Sequence, residues 1–192
     1  MRLRHAAILL LAGTLASAPA FADDISDQIE RALTAYRNHN TERALTALDA
    51  AAHALREERA NRLAQLLPIA PPGWTADPPE TSAVSASMLG GGTSASRNYR
   101  MGSEQVNVQI TTDSPMLQQM ATLLNNQLGA SSAVKTVNVN GRSIAYTPSD
   151  NGFMTLVGSA IVKVDGNAQT PESALRRFIG AIDFDALEKL TR

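Results

Sequence analysis

The stretch MLGGGTSASR, residues 88–97, sets three glycines ahead of Thr93, Ser94, Ser96 and Arg97. Hydroxyls, a guanidinium and a backbone freed by glycine are the parts of an anion site, so the first chemistry to weigh is a phosphate cradle. The nucleotide phosphate loop has the form Gly-x4-Gly-Lys-Ser/Thr between a strand and a helix, which lets backbone N–H groups converge on the anion. Here no Lys follows, the next residues read as a strand, and the dinucleotide spacing G-x-G-x-x-G is absent. The glycines therefore read as a turn that admits the backbone to a sheet. Anion contact by Thr93, Ser94, Ser96 and Arg97 is the competing expectation. The adjoining Arg97-Asn98-Tyr99-Arg100 puts two basic residues on one strand, suited to an acidic partner.

Other catalytic chemistry finds little material. The chain has no Cys, which excludes thiol nucleophiles, Cys-based zinc sites and thioether haem attachment. Beyond the N-terminal leader, His39 and His53 lack H-x3-H or H-E-x-x-H spacing and read as a turn residue and a helix-face residue. No G-x-S-x-G elbow and no EF-hand loop occurs. Asp183 and Asp185 flank Phe184 at the start of a short helix, where a carboxylate caps free N–H groups. Asp113 precedes Ser114-Pro115 and reads as a cap, with cation ligation beside Thr111 as its alternative. Met116 and Met120 read as core filling rather than a soft-metal pair. The expectation is a protein without catalytic residues, metal or cofactor.

The elements that must position any site begin with a leader. MRLRHAAILLLAGTLASAPAFA has a basic start, an apolar stretch of about ten residues and an A-x-A end, which predicts a secretory signal peptide cleaved after Ala22. A membrane-spanning helix needs about 20 apolar residues, so no stable membrane insertion is expected after cleavage. The mature chain is expected in the periplasm or outside the cell. Loss of Arg2 and Arg4 with the leader makes the formal charge of −1 more negative, which argues against nucleic acid as a partner.

Residues 23–67 carry Ala and Leu at three- and four-residue spacing and predict an antiparallel helical hairpin, broken at Asn38-His39-Asn40. Its later part, REERANR, reads as a solvated face. The run ALTAYRNHNTERALTALDAAAHAL resembles one tetratricopeptide-type helical repeat: Ala32, Ala44 and Ala51 take its small positions, Leu48 its large one, and Tyr36 precedes the turn. His39 stands where such repeats usually have Gly, and one copy is present where a solenoid groove needs about three. The resemblance thus implies a packing motif.

Residues 68–80, PIAPPGWTADPPE, end the helix and read as a Pro-rich linker, with Trp74 as a core or seam anchor. Residues 81–192 predict an α+β domain of order ββαβββ(β)α. Ser94–Arg100 and Glu104–Thr111 form one hairpin, and a helix with an apolar stripe from Met116 to Leu124 follows. Asn140-Gly141 joins the next strand pair and Gly158-Ser159 another, so the sheet is antiparallel, with helices on one face. A helix opened by Thr170-Pro171-Glu172 and a short terminal helix close the chain. The whole arrangement resembles a group of proteobacterial secreted proteins, a resemblance that implies no activity.

These readings converge on a non-enzymatic periplasmic interaction or scaffold module whose partner is a periplasmic protein. Its contact residues are expected to be Tyr36 and His39 of the hairpin with Thr93, Ser94, Arg97 and Arg100 of the strand. The alternative is a carrier of an apolar or anionic small ligand, held between the sheet and the helix at residues 115–128, near residues 90–97.

Overall fold

A computed structural model of the chain describes residues 21–84, 92–114 and 134–191. The first 20 residues of the expected leader, the glycines at 90 and 91, and the helix expected over residues 115–128 lie outside the described residues, while the last two leader residues, Phe21 and Ala22, open the first helix. The chain divides after Ala51 into two compact units.

The first unit holds helix α1, Phe21–Arg37, and the first half of helix α2, Thr41–Gln65. The turn between them needs one left-handed residue, and His39 supplies it at φ 58°. That is the position at which the repeat it resembles carries Gly, and the geometry explains why. Asn40 accepts the Arg43 N–H on its Oδ1 at 3.0 Å, so it is the N-cap of α2. Ile25, Ala32, Ala44 and Ala51 are the buried apolar residues of this unit. The small alanines suit a close approach of the two backbones, and of the larger apolar side chains Ile25 is buried while Ile29, Leu33, Tyr36, Leu45 and Leu48 stay exposed.

The second unit is α+β, as its pattern of tight hairpins predicts. Its strands are β1 (Thr75–Ala76), β2 (Glu80–Val84), β3 (Gly92–Met101), β4 (Glu104–Thr112), β5 (Lys135–Val139), β6 (Arg142–Thr147), β7 (Gly152–Val157) and β8 (Ala160–Gly166). All pairs are antiparallel, in the order β1-β3-β4-β8-β7-β6-β5, and β2 shares the β3 edge with β1. Asn140 and Gly141 both have positive φ, 52° and 80°, as the mirror-image turn of a two-residue hairpin requires. Helices α3 (Glu172–Gly180) and α4 (Phe184–Thr191) follow. Asp183 accepts the Ala186 N–H at 2.9 Å and so caps α4, while Asp185 pairs with Arg142 at 3.0 Å.

Alternation along the strands sorts the sheet into two faces. One carries Tyr99, Val106, Val108, Ile110, Phe153, Val162 and Val164, all nearly or fully buried, against Leu175, Phe178, Ile179 and Leu187 of the two helices. The other carries Ser94, Ser96, Asn98, Asn107, Gln109, Lys163 and Asp165, which stand in register across β3, β4 and β8. No helix among the described residues is long and apolar enough to cross a membrane.

Two expectations change here. The REERANR stretch is solvated on one side only: Ala60 is 1% exposed, and Leu63 and Leu67 belong to the sheet core. The spacing of three places Ala60 and Leu63 on one face of α2, and Leu67 follows just past its end; the density of charge around them concealed this burial. Residues 68–80, read as a linker, fold onto the sheet. Trp74 is buried edge-on to Phe178 with ring centroids 5.0 Å apart, and β1 pairs with β3. Proline restricts the segment to extended backbone, and extended backbone is also what an edge strand uses.

Candidate functional site

The glycine-rich constellation does not assemble. Gly92 opens β3 and pairs with Val84, so the chain enters the sheet there. A Cβ at Gly92 would lie 3.0 Å from the Thr112 carbonyl oxygen and 3.2 Å from Ser114 Cβ, which explains a residue without a side chain. Beyond it, a period of two sends neighbours to opposite faces. Thr93 is fully buried on the helix-covered side beside Thr112, and its hydroxyl has no hydrogen-bond partner among the described residues. Ser94 and Ser96 point to the polar side, with Arg97 and Thr93 on the other. No single anion can meet all four.

The two arginines have structural partners. Arg97 Nε donates to the Asp77 carbonyl oxygen at 2.7 Å, and Arg100 pairs with the Asp77 carboxylate at 2.8 Å. Both thereby fasten the segment between β1 and β2 to β3, an interaction across some twenty residues that no local pattern announces. Asp113 is likewise held: Arg59 Nη1 donates to its Oδ1 and Oδ2 at 3.0 and 2.9 Å, and its φ is 60°. A carboxylate so engaged is a clasp between α2 and the end of β4 rather than a cation ligand. His53 sits one turn from Glu57, 3.3 Å away on an exposed face. Among the described residues no group of three or more His, Asp or Glu side chains converges as a metal site would require.

Within the second unit, a cleft of about 370 Å³ opens on the polar side of the sheet. Asn98, Arg100, Gln105, Asn107, Asp165 and Asn167 line it. Asn107 Nδ2 donates to Asn98 Oδ1 at 2.8 Å, and Lys163 pairs with Asp165 at 3.0 Å. Donors and acceptors both face this cleft, with Tyr99 and Val106 also among its lining residues.

The hairpin unit presents the other candidate surface. Ile29, Leu33 and Tyr36 recur at four and three residues on α1 and remain 47%, 47% and 68% exposed. Leu45 and Leu48 on α2 are 57% and 49% exposed. On both helices these residues lie to the same side of the alanine seam. The opposite side is a groove of about 810 Å³ lined by polar and charged groups that include Asp27, Arg31, Thr34, Asn38, Arg43 and Thr46. The unit is therefore two-sided, apolar on one flank and polar on the other. Tyr36 belongs to the apolar flank, whereas His39 is an exposed turn residue with a backbone role. Ile29, Leu33, Leu45 and Leu48 read from the sequence as apolar helix-face positions, Leu48 as the large position of the repeat, and that spacing serves equally well for buried core, so their exposure was not legible there. The chain matches no family model, no curated protein and no solved structure.

Proposed function

We propose that the chain is a non-enzymatic interaction module of the periplasm that docks through the apolar flank of its helical hairpin. The observation that carries this reading is the row Ile29, Leu33, Tyr36, Leu45 and Leu48, each about half exposed or more on one side of an alanine-packed seam. A two-helix unit cannot enclose large apolar side chains by itself, and contiguous apolar surface on a folded protein marks a place of contact. The second unit supplies the anchorage, with its core closed by two helices on one sheet face.

The test is site-directed crosslinking in the native periplasm from Leu33 and Leu48, with Arg43 in the polar groove as control position. Crosslinks from the two leucines that vanish in a Leu45→Glu background are expected. Equal yields from all three positions would remove the reading.

A second reading, a small-ligand carrier, is favoured by the cleft beside Asn98, Asn107 and Asp165. Its size falls within the range of ligand sites, and its polar lining selects a neutral, hydroxyl- or amide-rich ligand over an apolar one. A melting temperature raised by such a ligand in the parent and unchanged in Asn107→Leu is the expected sign.

A further inference from the structure

The hairpin's apolar flank has the extent and the edge charges to pair with itself. Ile29, Leu33, Tyr36, Leu45 and Leu48 keep between 47% and 68% of their surface exposed. Together that is on the order of 500 Å² of side chain, so two copies face to face would remove about 1,000 Å² before any rim is counted. About 1,000 Å² is the floor for a biological interface, and the rim raises the buried area beyond it. Two helical hairpins stacked on their apolar flanks make a four-helix bundle, an arrangement that closes on itself and leaves no further apolar flank.

The charges beside the stripe specify an orientation. Glu30 and Arg37 lie seven residues apart on α1, away from the alanine seam, on the edge where the Ile29-Leu33-Tyr36 stripe meets the polar groove that Glu30 also lines. Neither has an ion-pair partner among the described residues, while Arg31, on the polar side, pairs with Asp27 at 3.7 Å. A two-fold axis lying in the interface between two α1 helices, perpendicular to them and level with the step from Leu33 to Thr34, would bring Glu30 of each copy opposite Arg37 of the other. The edge is therefore complementary to its own rotated copy, a property that a foreign partner does not require.

We infer that the partner of this flank is a second copy of the chain, with the two α1 helices antiparallel and paired through Glu30 and Arg37. This rests on the reading that the flank is a docking surface. Sedimentation velocity of the processed chain over about 1–100 µM tests it, with circular dichroism to confirm that each variant is folded. The expected result is a concentration-dependent shift from monomer to dimer, abolished by Leu33→Glu. Glu30→Arg and Arg37→Glu each weaken the dimer at least several-fold, and the double exchange restores it. A monomer throughout the range overturns the inference, as does a dimer indifferent to Leu33→Glu, or one that the double exchange fails to restore. If the parent is monomeric but Leu33→Glu still removes periplasmic crosslinks, self-pairing falls and the docking reading stands. If Leu33→Glu changes neither mass nor crosslinks, both fall.

Discussion

Tyr99 donates its hydroxyl to the Pro68 carbonyl oxygen at 2.6 Å, in a site where the ring is fully buried. One hydrogen bond thus ties the third residue after α2 to β3, two residues before the strand ends. Replacing Tyr99 with Phe leaves the Pro68 carbonyl without this donor, and a cost of about 1–2 kcal/mol is expected. Urea denaturation of parent and variant measures it. A change below about 0.3 kcal/mol would mean that the carbonyl finds another donor.

The same hydroxyl makes stability depend on alkaline pH. Burial raises the Tyr99 pKa above its ordinary value, and the nearby Arg97 charge and hydrogen bond oppose that rise in part. The folded chain therefore holds the phenolic proton more tightly than the unfolded chain, so the contribution is complete below about pH 10 and is lost as pH rises beyond it. The stability gap between parent and Tyr99→Phe should be constant from pH 7 to 9 and narrow above pH 10. A gap that widens there would reverse the sign.

Phe178 receives Trp74 edge-on at 84° and Tyr99 at a centroid distance of 4.6 Å, so three aromatic rings meet where α3, β3 and the segment before β1 converge. Phe178→Ala should cost about 3–5 kcal/mol. Trp74 is the only Trp, so its fluorescence reports this site alone. Emission of the variant is expected to shift to the red at lower urea than the parent's. Coincident transitions would show that the cluster contributes little.

How much of this was legible follows from the range of each signal. The β3–β4 hairpin, the Asn140-Gly141 turn and the α3 helix were readable because period and turn residues are local, and their bounds agree within a few residues. β1 and β2 were missed because each is short, polar and placed beside prolines, so pairing with β3 decides them rather than propensity. The roles of Arg97, Arg100 and Asp113 depend on partners many residues away, Asp77 and Arg59, and no local pattern carries that. The separation of Thr93 from Ser94 was legible in principle. Alternation along a strand already forbids Thr93, Ser94, Ser96 and Arg97 from sharing one face. The hairpin was readable, but its half-exposed leucines were not, because amphipathic spacing gives a face without saying what covers it.

Two turn glycines should respond differently to the same substitution. Gly141 and Gly158 both have positive φ, 80° and 57°, so Ala at either costs about 1–2 kcal/mol of backbone strain. At Gly141 an added Cβ meets nothing, whereas at Gly158 it would lie 2.5 Å from Thr191 Oγ1. Gly158→Ala is therefore expected to be the more destabilising, and Thr191→Ala in the same chain should recover part of the difference. Equal melting temperatures for the two single variants would show that the end of α4 moves aside freely.

His39 tests the hairpin turn in the opposite direction. Its φ of 58° lies where a Cβ is unfavourable, and its side chain is exposed. Glycine removes the steric penalty, which exceeds the extra entropy that glycine loses on folding, so His39→Gly should stabilise the hairpin by about 0.5–1 kcal/mol. Amide hydrogen exchange is the suitable measurement, since it reads the hairpin unit separately from the sheet. The Asn40 N–H, which donates to the Ala35 carbonyl at 2.9 Å across this turn, should exchange more slowly in the variant. Faster exchange would mean that the His39 side chain holds the turn through contacts worth more than the strain.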